Sequence, residues 1–196
     1  MSTICSVVDR RRTFSTTSVQ GAVVTLILET ARLRLRQFQA SDIDAYAELC
    51  ADPEVMRYLG PQGPLSREDA WRQLSLWRGH WELRGYGMWA VEERATRAFV
   101  GRVGLHYPEG WPDHELGWAL SRSFWGRGYA YEAAKAALTI AFVDLRWSRI
   151  VSLIDPSNQR SIRLAGRLGE SFESEIQLRG SRVALYALTR AEWSVT

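Results

Sequence analysis

One short stretch constrains this chain more than any other. A strand-like run, Glu115–Leu120, leads through Trp125-Gly126-Arg127-Gly128 and Tyr129-Ala130 into an alanine-rich helical segment over 131–145. Glycines lack a Cβ, so main-chain N–H groups in such a turn can approach an anion closely. The helix that follows adds unsatisfied donors and the positive end of its dipole, and Arg127 adds a cation. The spacing is not that of a Walker A loop, which needs G-x-x-x-x-G-K-[ST]. It is not a full dinucleotide fingerprint either, because the third glycine position is Tyr131. Alone, a Gly-x-Gly turn fits a plain strand-to-helix connection as well as an anion site.

The rest of the chain fixes the class of fold. Its 196 residues are 46% apolar, enough for one domain with a real core and too many for a disordered chain. With 25 basic and 22 acidic residues it carries no nucleic-acid stripe, and it has no apolar run of the roughly 20 residues that span a bilayer. Neither nucleic acid nor membrane is therefore expected as a partner. Cys5 and Cys50 make no disulfide framework and no Cys/His cluster has zinc spacing, so the expectation is no metal and a reducing, cytoplasmic setting. Residues 1–28, with Arg10, Arg11 and Arg12 among Ser and Thr, read as a tail, and the domain is placed at 29–196.

Within the domain, Leu33 and Leu35 alternate with arginines as in a half-buried strand. Ser41 and Asp44 have capping-box spacing at the start of one helix, and Ser66 and Asp69 at the start of another carrying Trp71, Trp77 and Trp81. Three strands follow as an antiparallel meander, then the Gly-rich turn and its helix, then strand, helix, strand, strand. That order makes a mixed α/β (α+β) domain and excludes a purely parallel doubly wound sheet.

Four segments, in order, give the chain a family resemblance. They are Glu29-Thr30-Ala31-Arg32-Leu33-Arg34-Leu35-Arg36; Trp125-Gly126-Arg127-Gly128-Tyr129-Ala130-Tyr131-Glu132-Ala133; Asn158-Gln159-Arg160-Ser161-Ile162-Arg163-Leu164 with Leu168-Gly169; and Tyr186-Ala187-Leu188-Thr189-Arg190-Ala191-Glu192-Trp193. Together they resemble the GNAT superfamily of N-acetyltransferases, in its RimJ/RimL-like branch. The resemblance implies a central, mostly antiparallel sheet of six or seven strands splayed at two parallel strands and flanked by about four helices.

It also implies a chemistry. Acetyl-CoA would be the co-substrate, with its pantetheine arm between the splayed strands Glu115–Leu120 and Arg149–Ile154. Backbone groups of Trp118, Ala119 and Leu120 would bind the arm, and amides from Trp125 through Gly126, Arg127, Gly128 and Tyr129 to Ala130 would hold the pyrophosphate. Asn158, with Ser161 beside it, would steady the thioester end. An amine, either a protein N-terminus or a small molecule, would be acetylated directly in a ternary complex by a monomer or homodimer. Glu115 heads the small-residue face Glu115/Gly117/Ala119 and is the candidate base; His106 and His114 are the other titratable neighbours. Trp89, Tyr107, Trp111 and Asp113 are candidates for the acceptor side.

The chain departs from the family at three positions. Ser123 replaces the Gln or Arg of the loop, Ala165 replaces a Tyr that serves many relatives as general acid, and Glu170 stands where Phe is usual, a change read as packing. The first two keep open an alternative, a CoA-binding regulatory or degenerate domain without turnover.

Overall fold

The computed structural model describes residues 27–59 and 63–193. Cys5 and all but the last two residues of the expected tail lie outside them, as does part of the turn-rich loop before the second helix. The last tail residue, Leu28, pairs with Leu35 in the two-residue strand β1 (Leu28–Glu29). The other strands are β2 (Leu33–Arg36), β3 (Met88–Glu93), β4 (Phe99–His106), β5 (Glu115–Leu120), β6 (Arg149–Ile154), β7 (Ser171–Leu178) and β8 (Ser181–Thr189). They form one sheet in the order β1-β2-β3-β4-β5-β6-β8-β7. Every neighbouring pair is antiparallel except β5 and β6. Eight strands and five α-helices thus stand where six or seven and about four were expected.

The helices are α1 (Ile43–Ala51), α2 (Pro53–Met56), α3 (Arg67–Arg84), α4 (Tyr129–Thr139) and α5 (Gln159–Leu168). The Ser66 hydroxyl accepts from the Asp69 amide at 3.1 Å to start α3, and Gly85, in the left-handed region, ends it. Asp52 closes α1 and opens α2, its carboxylate accepting from the Glu54 amide at 2.9 Å. The expected cap at Ser41 is not used. A 3₁₀ turn, Ala40–Asp42, precedes α1, and Asp42 accepts from the Gln39 amide at 2.7 Å while Arg36 pairs with it at 2.7 Å. The ion pair holds Asp42 at the turn, and α1 starts at Ile43, one residue later than a Ser41 cap would place it. After Thr139, α4 continues as a π-helical turn, Ile140–Asp144.

The sheet has helices on both faces, and β3 is buried on both over Met88–Val91, where its sequence is a continuous apolar run. Phe38, Tyr46, Trp77, Met88, Ala90 and Ala119 form the core under α1 to α3. Trp89, Val91, Leu105, Leu116 and Ile150 pack against Ala133, Ala134 and Ala137 of α4 on the other face. Alanines on that helix face let α4 lie close to the sheet, which brings its N-terminus to the end of β5. No helix among the described residues is long and apolar enough to cross a membrane.

The pairing of β3 with β4 shifts register between Val91 and Glu92, opposite Gly101. Gly101 has φ +150°, and a Cβ there would lie 2.3 Å from the Ala119 carbonyl oxygen and 2.7 Å from Leu120 Cα. Backbone atoms of β5 cannot yield, so Gly101→Ala is expected to destabilise the domain by about 3 kcal/mol. Urea unfolding checks this, and an unchanged midpoint would contradict it.

Candidate functional site

The turn between β5 and α4 is locked from within. The Trp125 indole N–H donates to the Leu120 carbonyl at 2.8 Å, and the Trp125 amide donates to Arg122 at 3.1 Å. Gly126 and Gly128 follow in the left-handed region, with φ of 75° and 79°. The first amide that turns back is Glu132, donating to Gly128 at 3.1 Å. Among the described residues, the amides of 126–131 donate no hydrogen bond of ordinary length and angle to a protein acceptor. The row of open donors therefore begins at Gly126, not at Trp125, whose own amide is engaged. A Cβ at Gly126 would meet nothing within 4 Å, so the turn is open at that residue. These amides lie at the N-terminal end of the dipole of the 11-residue α4, an arrangement that favours negative charge.

A clamp from the other end of the chain fixes this turn. Glu132, in the first turn of α4, accepts from the Thr30 hydroxyl at 2.6 Å and from the Arg32 amide at 2.9 Å. The Arg32 guanidinium donates to Glu132 at 2.7 Å and to the Arg127 carbonyl at 2.9 Å, and lies over the Tyr129 ring. Neither spacing nor periodicity links residues 102 positions apart, and the only sequence sign was that both segments carried the family resemblance. Arg127 itself lies over the Phe124 ring and 3.9 Å from Glu93. Beside the clamp is a cavity of about 480 Å³ whose lining includes Arg32, Gly128, Tyr131, Lys135 and Arg167.

From the turn, β5 runs back towards a wedge. It pairs with β4 along its whole length, from Gly101↔Leu120 to His106↔Glu115. With β6 it shares one registered pair, Glu115↔Val151, with the Val151 amide donating to the His114 carbonyl at 2.8 Å. Beyond that pair the strands separate, and Trp118, Ala119 and Leu120 have no strand beside them on the β6 side. The Trp118 indole donates to the Ser161 hydroxyl at 3.1 Å, and Asn158 caps α5 by accepting from the Ser161 amide at 3.1 Å. Trp118, Asn158 and Ser161 are thus brought together, with the Asn158 carboxamide oxygen engaged as a cap.

Glu115 stands at the vertex. Its carboxylate accepts from the Trp111 indole at 2.7 Å. Burial pushes its pKa up to about 7, against the Trp111 bond, the nearby Arg102 charge and the Leu153 backbone beside it. His106, its cross-strand partner, lies between Trp77 and Trp111, each 5.0 Å away, and its Nδ1 has no partner. Burial and the charges of Arg102 and Arg179 depress His106 to about 3, so it is neutral at physiological pH and too weak a base there.

Other candidates turn out otherwise. His114 packs between Tyr107 and Trp147, and Asp113 is held by Arg149 at 2.9 Å, which takes it away from an acceptor role. Trp89 is fully buried in the core and is no pocket wall, whereas Trp71, taken with Trp77 and Trp81 as helix stripe, is 59% exposed.

Residues 32–171 match the family described as acetyltransferase (GNAT) domain. The uncharacterized protein YkkB of Bacillus subtilis (strain 168) is 33% identical over 164 residues, which cover 81% of this chain and 93% of that protein. The uncharacterized N-acetyltransferase YnaD of the same organism is 28% identical over 173 residues, covering 85% and 99%. Among solved structures, an acetyltransferase from Agrobacterium tumefaciens str. C58 superposes with a TM-score of 0.76 at 28% identity, covering 90% of this chain and 98% of that one.

The clamp makes a prediction of its own. Glu132→Ala leaves Thr30 and Arg32 without their acceptor, and a loss of about 2 kcal/mol in urea unfolding is expected. A loss within error would show that the clamp contributes nothing.

Proposed function

The chain belongs to the GNAT acetyltransferase family, and from that premise we propose that it moves the acetyl group of acetyl-CoA directly to a primary amine in a ternary complex. The observation that carries this reading is the one-pair wedge between β5 and β6, ending at a row of open amides at the start of α4. The unpaired edge at Trp118, Ala119 and Leu120 suits an extended amide-bearing arm, which would add to β5 as a strand does. Open amides from Gly126 to Ala130 suit a pyrophosphate, with Arg127 beside them. The cavity bearing Arg32, Lys135 and Arg167 suits the remaining phosphate of the nucleotide. Asn158 and Ser161 would border the arm nearer the thioester.

On the acceptor side, Glu115 is the proposed base. An attacking amine must lose a proton, and a carboxylate with pKa about 7 takes one more readily than an ordinary Glu. The half-buried Arg102 favours its ionised form. The aromatic wall of Trp77, His106 and Trp111 would shape the acceptor pocket. The RimJ/RimL-like segments favour a protein N-terminal amine, with small-molecule amines as the other class.

One observation favours a second reading. Ala165 is fully buried and offers no hydroxyl where many relatives carry the acid for the departing thiolate. A domain that binds acetyl-CoA without turnover would show binding but no amine-dependent release of CoA thiol.

Thiol release measured across a panel of amines tests the proposal. The carboxylate must be ionised to accept a proton, so kcat/KM should rise as pH increases to about 7 and then level off, until amine ionisation intervenes. Glu115→Gln should lower kcat about 100-fold with acetyl-CoA affinity largely kept. An unchanged rate removes Glu115 from the mechanism.

A further inference from the structure

The parallel pairing of β5 and β6 stops where its next rung is due. After Glu115↔Val151, a continuing parallel ladder would have the Leu153 amide donate to the Leu116 carbonyl. Side chains stand at both groups instead. The Ser152 hydroxyl lies 2.9 Å from the Leu116 carbonyl, and the Glu115 carboxylate stands close enough to the Leu153 backbone to be stabilised by it.

Ser152 is in turn held from below. Its hydroxyl lies 3.0 Å from Glu170 Oε1, and the two side chains are buried, at 1% and 4% exposure. Glu170 is set there by the end of α5, where Gly169 is left-handed and the Glu170 amide donates to the Ala165 carbonyl at 3.0 Å. Its second oxygen, Oε2, has no partner.

A serine hydroxyl has one proton, and two acceptors stand within reach of it, the Leu116 carbonyl at 2.9 Å and Glu170 Oε1 at 3.0 Å. With Glu170 a carboxylic acid, its own proton goes to the Ser152 oxygen and the Ser152 proton goes to the Leu116 carbonyl. Burial pushes Glu170 up to about 8, which keeps that proton in place at neutral pH. The charge that acts on it comes from Glu115 on β5. Its other neighbours are the Ser152 hydroxyl of β6 and the Ala165 carbonyl of α5, and β8 supplies apolar Leu188 beside Gly169.

We propose that Ser152 and Glu170 are positioning residues that hold the acetyl-CoA slot open by occupying the first rung that would otherwise zip β5 to β6. The proposal rests on the reading that this slot receives acetyl-CoA. It gives Glu170 a task beyond the packing change that its place in the sequence suggested. When Glu170 loses its proton it becomes an acceptor and draws the Ser152 hydrogen to itself. The Leu116 carbonyl is then released to the Leu153 amide, and the slot narrows.

Acetyl-CoA binding measured by calorimetry from about pH 6 to about pH 10 tests this on wild type, Glu170→Gln and Ser152→Val. Wild-type affinity should fall about tenfold through the alkaline range, the loss of one such bond. Glu170→Gln, whose amide donates at every pH, should keep most of the neutral affinity and lose the alkaline limb. Ser152→Val, with folding checked by circular dichroism, should bind about tenfold more weakly at neutral pH. Should Ser152→Val fail to fold, the Glu170→Gln profile decides alone. An alkaline limb that persists in Glu170→Gln, or wild-type affinity in a folded Ser152→Val, overturns the proposal while leaving acetyl-CoA binding intact. A wild type that binds no acetyl-CoA at any pH overturns both.

Discussion

The structure turns on a hydrogen bond that is not made, between the Leu153 amide and the Leu116 carbonyl. In the middle of an eight-stranded sheet such a rung is the default, and each polar group left unpaired there costs about 1–3 kcal/mol. Ser152 stands at the Leu116 carbonyl and the Glu115 carboxylate beside the Leu153 backbone, which offsets part of that cost. The strands separate at this vertex, and one edge of β5 stays open.

The surroundings of the wedge complement it electrostatically. At one end, the open amides of 126–131 and the α4 dipole meet cations. Arg160 and Arg167 of α5 lie over Trp125 and Tyr131, at 4.5 and 4.6 Å, with no carboxylate partner among the described residues. At the other end stand two carboxyls, the half-buried Glu115 and the buried Glu170, each held towards its protonated form. An anion is favoured at the mouth, and a group that gives up a proton is favoured at the vertex. The slot has this polarity along its length, as the proposed acyl transfer to an amine requires, and the short strand β5 runs between its two ends.

Much of this was legible in the sequence where the signal is local. Gly126 and Gly128 announce left-handed turns, and the alanines of α4 announce a helix that packs closely. The faces of β5 follow from alternation: Leu116 and Leu120 lie in one core and Ala119 in the other. What stayed hidden is non-local. The Glu132 clamp joins residues about a hundred positions apart, and the two-residue β1 is too short for any period to register. Ser41 had the right spacing for a cap, but the Arg36–Asp42 ion pair moved the helix start. Trp71 and Trp77 were read as one helical stripe in the sequence, yet one is exposed and one buried, because six residues on a helix leave two side chains about 120° apart. Glu170 read as a packing change, because a one-letter code does not show which hydroxyl it will face.

The central claim is that the open amides after Gly126 and the unzipped edge of β5 together receive acetyl-CoA. Amide hydrogen exchange read residue by residue, with and without acetyl-CoA, tests it most directly. The account predicts slowed exchange at residues 126–131 and along Trp118 to Leu120, with the distant β1–β2 pair unchanged. Exchange at 126–131 that acetyl-CoA leaves unaltered, at concentrations where heat of binding is observed, would contradict it.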